Sequence, residues 1–129
     1  MAELTSPEPR VTVKYKGEDK TIFMSFLRLN SCLRLVGSMD RMGMMMVDPD
    51  IGEGIIRVLV APKGGAGEMF EVELEDEDLS PDDFDKLLDF AREHLTYFFV
   101  KRLQTASKTV GDLESMIEAL KLSAAGSEN

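Results

Sequence analysis

The strongest constraint on the fold is a capped amphipathic helix that begins near Ser80. Ser80 can accept a hydrogen bond from the backbone amide of Asp83, and Pro81 suits the first helical position. Asp82 and Asp83 place carboxylates at the positive end of the helix dipole. Apolar residues follow at alternating spacings of four and three, namely Phe84, Leu88, Ala91, Leu95 and Phe98, with Leu87, Phe99 and Leu103 beside them. A stripe this wide predicts a long helix that buries one face.

The first third of the chain predicts a β-hairpin followed by a helix. Residues 11–15 alternate between apolar and polar side chains, 17–20 supply a turn, and 21–24 are apolar again. Ser25 then caps a helix whose apolar residues lie three to four apart and which ends near Gly37. Together with the helix at Ser80, this pattern predicts an α+β fold.

Two further apolar segments lie in the middle of the chain. Asp48 and Pro49 form a helix start signal, and we expect a helix up to Ala61, although residues 56–60 are also strand-like. Residues 69–74 alternate between apolar and acidic side chains, which predicts a third strand or an extended arm. The fold class expected is therefore mainly helical, with a small antiparallel hairpin and a long C-terminal helix.

The domain organisation expected is one domain with disordered ends. Residues 1–9 form the lead-in, 10–122 the domain, with a flexible linker near 63–67, and 123–129 a disordered tail. Mediocre helix formers over 104–112 predict a break or kink. A short terminal helix should then carry Leu113, Met116, Ile117 and Leu120.

Composition excludes several classes of function. The net charge is −9, from 24 acidic and 15 basic residues. The segment from Glu68 to Asp89 contains eleven acidic residues and one basic residue, Lys86. Nucleic-acid binding needs cations against phosphate, so we expect no nucleic-acid partner. No apolar run is long enough to span a bilayer and the N-terminus carries no secretory signal, so we expect a cytoplasmic protein with no membrane association.

The candidate catalytic residues lack the partners that catalysis needs, and we expect no enzyme. His94 on the long helix is expected to be solvent-facing or satisfied, and Cys32 to be a small buried hydrophobe without a histidine partner. The segment 76–80 resembles the start of a calcium loop, but Pro81 and Leu87 stand where a glycine and a glutamate are required. Residues 63–67 lack the ending of a phosphate loop. No metal or cofactor is therefore expected.

A methionine cluster is the candidate binding surface. It consists of Met39, Met42, Met44, Met45 and Met46. Methionine is unbranched and polarizable, so a cluster can repack around partners of different shape, but it can equally fill a core. We expect these five residues, together with Phe98 and Phe99, to contact a protein partner. Replacing Met44, Met45 and Met46 with serine would separate the two interpretations, because a core cluster would lose thermal stability.

The order of parts resembles the tail assembly chaperones of long-tailed bacteriophages. The resemblance covers about residues 10–106: a hairpin over 11–26, a helix over 27–36, a second apolar segment, an acidic strand and the capped helix over 79–99. It implies a small acidic protein that coats the long, helical, apolar tape-measure protein before the tail tube polymerises around it. In this family a translational frameshift often makes a longer second form. The family has no fixed catalytic residues to carry over.

A structural component of a phage particle is the alternative. In the tail, neck or head, the apolar stripe would pack permanently against identical copies, as a homo-oligomer. A chaperone would be absent from the finished particle and would exchange partners, whereas a structural protein would remain in it.

Overall fold

The N-terminal sheet is a two-stranded antiparallel hairpin. In the computed structural model, which describes residues 5–63 and 71–127 and side chains to residue 121, β1 spans Arg10–Tyr15 and β2 spans Glu18–Phe23. Lys16 and Gly17 connect them with φ of 53° and 82°, the positive values that a tight two-residue hairpin turn requires. The turn thus overlaps the predicted 17–20 segment only at Gly17, because residues 18–20 belong to β2.

Three caps predicted from sequence begin the three α-helices. The helix α1 spans Phe26–Val36, and the Ser25 hydroxyl accepts from the Arg28 amide at 3.2 Å. The helix α2 spans Pro49–Val60, and the Asp48 carboxylate accepts from the Asp50 amide at 2.9 Å. The helix α3 spans Pro81–Ser127, and the Ser80 hydroxyl accepts from the Asp83 amide at 3.1 Å. The α+β class with an N-terminal hairpin and a long C-terminal helix is confirmed.

The helix α2 is the centre of the core. Eight of its twelve residues are buried, so it is covered on nearly all sides, as expected for a helix that is apolar around its circumference. Residues 56–60, which are also strand-like in sequence, belong to this helix. The hairpin contributes Val13 and Ile22, α1 contributes Cys32 and Val36, and α3 contributes Leu87, Leu88, Phe90, Ala91 and Leu95.

Cationic side chains fasten the C-terminal end of α2. Arg28 Nη2 donates to the Ala61 carbonyl at 2.8 Å, and its Nη1 donates to the Phe23 carbonyl at 3.0 Å. Lys20 Nζ donates to the Val60 carbonyl at 3.0 Å. Burial, with a contribution from the Arg28 charge, lowers the pKa of Lys20. The carbonyls of Val60 and Ala61, at the end of α2, are therefore satisfied by the hairpin and α1.

The methionine cluster forms a 3₁₀ helix over Met39–Met46 between α1 and α2. Eight residues are long for this geometry, in which runs beyond three or four residues are uncommon. The Val47 and Asp48 amides both bond to the Met44 carbonyl, at 3.1 and 2.7 Å, which leads the chain directly into α2.

For two local predictions, the described residues exclude one of the two alternatives that the sequence left open. The break before Leu113 is absent, because α3 continues without interruption and the hydroxyls of Thr105 and Thr109 donate to carbonyls four residues earlier, at 3.0 and 2.9 Å. A third strand is absent from residues 71–74, which are irregular apart from a helical turn at Glu71, and the rest of that prediction, 69–70, lies outside the described residues. Linker residues 64–67 also lie outside them.

The chain divides into two compact units. The first is Met1–Tyr97 and the second is Phe98–Asn129. The single domain expected over 10–122 and the tail expected over 123–129 stay predictions. The helix α3 itself extends to Ser127.

Candidate protein-binding cleft

An apolar cleft of about 610 Å³ lies in the first unit, and we call it the methionine cleft. One wall is formed where the 3₁₀ helix meets α2, by Met45, Met46, Val47, Asp48, Pro49, Gly52, Glu53 and Ile56. The other wall is formed by the segment before α3 and the first turns of α3, by Leu74, Glu75, Asp76, Leu79, Pro81, Phe84, Asp85 and Leu88. Ten of these sixteen residues are apolar, which is the composition of a site for apolar side chains.

Carboxylates surround the methionine cleft. Its lining includes Asp48, Glu53, Glu75, Asp76 and Asp85, and over the described part of the chain no lysine, arginine or histidine lines it. Glu53 is partly neutralised by Arg57, whose Nη2 lies 2.7 Å from Glu53 Oε1. The potential at the cleft is therefore negative, which favours a ligand with an apolar centre and cationic flanks.

Local sequence rules explain how the two walls are built. Leu79 precedes the cap residue Ser80, and Phe84 is the fourth residue of α3, which is the spacing of a hydrophobic staple. Both residues line the cleft and are partly exposed. In α2 the equivalent fourth position is Gly52, and the absence of a side chain there leaves space beside Leu88. One wall of the cleft thus contains a glycine, and the other contains the two staple residues.

The structure divides the predicted methionine surface. Met45 is buried with 1% of its surface exposed, whereas Met39, Met44 and Met46 are 45%, 46% and 44% exposed. Met42 is partly exposed. Only Met45 and Met46 line the methionine cleft among these five. The cluster therefore serves both as core and as surface, with Met45 anchoring the 3₁₀ helix so that Met46 faces the cleft.

Phe98 and Phe99 belong to the second unit. Their ring centroids are 5.9 Å apart in an edge-to-face arrangement, and the Arg102 guanidinium lies 5.1 Å from the Phe98 ring centre. Both rings are partly exposed. Sequence reasoning missed Leu74, Leu79 and Phe84 as binding candidates, although the staple spacing was a signal that could have found the last two.

His94 and Cys32, the residues considered as catalytic candidates, both make structural contacts. His94 Nε2 lies 2.7 Å from the Glu8 carbonyl oxygen, to which it donates, and its ring packs edge-on against Phe90. Cys32 is fully buried, and burial raises its pKa to about 12. Its thiol is therefore neutral and shielded, unlike a nucleophilic cysteine. The described residues contain no group of three or more acids, histidines or cysteines arranged to hold a metal.

The acid-rich segment before α3 folds into a turn. The Asp78 amide donates to the Glu75 carbonyl, and an Asp78 carboxylate oxygen accepts from the Glu75 amide, both at 3.0 Å. The Asp78 carbonyl also accepts from the Lys16 amide at 2.9 Å, which joins this turn to the hairpin. Asp78 thus acts as a structural residue, and its neighbours form an acidic surface.

No helix within the described ranges combines the length and the apolar character needed to cross a membrane. Comparisons of the chain with protein-family models, with curated proteins and with solved structures found no match.

Proposed function

We propose that this chain is a non-enzymatic tail assembly chaperone of a long-tailed bacteriophage. It binds the helical tape-measure protein in the host cytoplasm and keeps it soluble until the tail tube polymerises. The observation that carries this proposal is the methionine cleft, an apolar groove of about 610 Å³ with five carboxylates in its lining. No cofactor or metal takes part.

The size of the methionine cleft supports binding of a helix through a few anchor side chains. A helix that lies in a groove inserts apolar residues from one face, three or four positions apart. A volume of about 610 Å³ accommodates two or three such side chains rather than a whole helix. Many copies of the chaperone could thus bind one long helical protein, each taking one short segment.

The methionines support a partner that varies in sequence. Met46 and Met44 are about half exposed, and their unbranched side chains adapt to different apolar surfaces at little cost. The carboxylates add a preference for segments in which lysine or arginine flanks the apolar anchors. Such binding is reversible, as a chaperone requires, because it depends on a small apolar area and screened charges.

A structural protein of the particle remains the second candidate. The observation that favours it is the row of exposed apolar side chains in the second unit, which suits lasting contacts with other subunits. The two functions differ in whether the chain remains in the finished particle. Mass spectrometry of purified particles separates them, since a chaperone is absent and a structural protein is present in fixed stoichiometry.

Co-expression tests the chaperone function directly. The tape-measure protein of the virus that encodes this chain is expressed with and without the tagged chain, and its soluble fraction and co-purification are measured. We expect the chain to raise the soluble fraction and to co-purify. If the tape-measure protein stays insoluble and unbound, the proposal is wrong.

Two matched variants test the methionine cleft within the same assay. Met46→Asp introduces a charge into the cleft, whereas Met39→Asp introduces it at an equally exposed methionine outside the lining. We expect loss of binding in Met46→Asp alone. Equal loss in both variants would assign binding to the whole methionine cluster instead of the cleft.

A further inference from the structure

The helix of the second unit has an exposed apolar face. All residues from 101 to 121 are exposed. The large apolar ones among them are Leu103, Val110, Leu113, Met116, Ile117 and Leu120, each with half or more of its surface accessible. Soluble proteins rarely expose a contiguous patch of this kind unless it is covered by another molecule.

Five of these six residues, all except Met116, follow a heptad repeat. With Phe99 and Ala106 included, the positions 99, 103, 106, 110, 113, 117 and 120 alternate in steps of four and three. This assigns Leu103, Val110 and Ile117 to the a positions of the heptad, and Phe99, Ala106, Leu113 and Leu120 to the d positions. We call this row of seven residues the heptad seam. Three consecutive heptads are the pattern of a coiled coil.

The residue types in the heptad seam indicate the kind of partner. Two of its three a positions are β-branched, Val110 and Ile117, and the d positions beside them are Leu113 and Leu120. Branched residues at a with leucine at d favour parallel two-stranded coiled coils. A second copy of this chain offers an identical seam of equal length, so every a residue meets an a residue and every d residue meets a d residue.

The helix also needs such a partner for its own stability. Thr105, Ser107, Thr109, Val110 and Gly111 are mediocre or poor helix formers, and an isolated helix gains most of its stability from packing one face. Pairing two seams removes on the order of 1,000 Å² from water, which is close to the lower limit of a specific interface.

We propose that two copies of this chain associate through the heptad seam into a parallel coiled coil over residues 99–120. The proposal uses only the second unit and is independent of what the methionine cleft binds. A dimer carries two clefts, so a chain with two weak sites binds one long helical partner with higher effective affinity.

Sedimentation analysis of the full chain tests the association. We expect a monomer–dimer equilibrium in the wild type. Leu113→Asp should raise the dimer dissociation constant at least about a hundredfold, because each dimer then buries two carboxylates in its seam. Ser115→Asp adds the same charge two residues away at an outer heptad position and should leave the constant within about threefold. A wild-type monomer, a trimer, or equal effects of both substitutions would overturn the proposal.

Cysteine cross-linking tests the parallel orientation. In a parallel pair Leu113 faces its own counterpart. In an antiparallel pair a positions face d positions, and the register that pairs Leu103 with Leu120 places Leu113 opposite Val110. Mild oxidation of Leu113→Cys should therefore give a disulfide-linked dimer, and Ser115→Cys should not. Cys32 does not compete, because it is buried, and its lack of reaction in every variant shows that the first unit is folded. Failure of Leu113→Cys to cross-link while Val110→Cys and Leu113→Cys cross-link to each other would overturn the parallel arrangement.

Discussion

The backbone carbonyl of Met45 approaches Gly52 so closely that a Cβ atom at position 52 would lie 3.3 Å from the carbonyl oxygen. This contact joins the end of the 3₁₀ helix to the first turns of α2. It also lies where the two walls of the methionine cleft come together, because the same Cβ would lie 3.8 Å from Leu88 on the opposite wall. Because position 52 has no side chain, the 3₁₀ helix can lie close to α2, and space remains between Gly52 and Leu88.

The first prediction concerns Gly52. Alanine normally stabilises a helix interior by about 1 kcal/mol relative to glycine. At Gly52 this gain is opposed by the Met45 carbonyl, whereas a Cβ added at Gly111 in α3 would meet nothing within 4 Å and keeps the full gain. We expect Gly111→Ala to increase helix stability and Gly52→Ala to give no increase, in urea unfolding followed by circular dichroism. An equal gain in both would show that the Met45 contact is easily relieved.

The second prediction separates core from surface in the methionine cluster. Met45→Ala removes a fully buried side chain and should lower the free energy of unfolding by about 2–4 kcal/mol. Met44→Ala, at an exposed position in the same 3₁₀ helix, should change it by less than about 0.5 kcal/mol. Chemical denaturation measures both values. If the two variants are equally stable, Met45 does not anchor the 3₁₀ helix.

Local signals predicted the helices, and tertiary contacts determined what the sequence did not reveal. The caps at Ser25, Asp48 and Ser80 act within four residues, so they were readable from the sequence. The burial of Met45 depends on α2 lying beneath it, and no local spacing encodes that position. The five methionines therefore looked equivalent in the sequence although the structure separates them.

The methionine cleft could not be predicted from the sequence for the same reason. Its two walls come from segments about thirty residues apart, near Met46 and near Leu79. Glu75 and Asp76, two of the acids before α3, are exposed. Their proximity to an apolar groove follows only from the packing of α3 beside α2, through Leu88.

The third prediction concerns Arg28, which donates to carbonyls of both the hairpin and the end of α2. Lysine has the same charge but lacks the planar fork that presents two separate nitrogens to the two carbonyls, so we expect Arg28→Lys to lose one of the contacts. We expect it to lower the free energy of unfolding by about 1–3 kcal/mol. Arg34→Lys, at an exposed position in the last turn of α1, is the control and should change stability by less than about 0.5 kcal/mol. Equal effects would contradict a specific role for the guanidinium.

The fourth prediction concerns charge at the methionine cleft. Asp85→Lys reverses one carboxylate of the lining, and Glu93→Lys makes the same change on an exposed position of α3 outside it. If the partner carries cations beside its apolar anchors, Asp85→Lys should weaken binding several-fold more than Glu93→Lys at low salt. The difference should diminish at high salt, because screening shortens the range of the interaction. Calorimetry at two ionic strengths measures the affinities of both variants. Equal affinities would show that charge at the cleft does not contribute to recognition.

The fifth prediction concerns the pH dependence that Cys32 adds. Burial raises its pKa from 9.0 to about 12, so between these values the unfolded chain has lost a proton that the folded chain retains. Stability from this group is therefore complete below about pH 9 and falls by about 1.4 kcal/mol per pH unit above it. Cys32→Ala lacks this dependence. Urea unfolding at about pH 8 and about pH 10 should show the wild type losing more stability than the variant. Equal losses would mean that the thiol ionises within the folded protein, and hence that it is accessible to solvent.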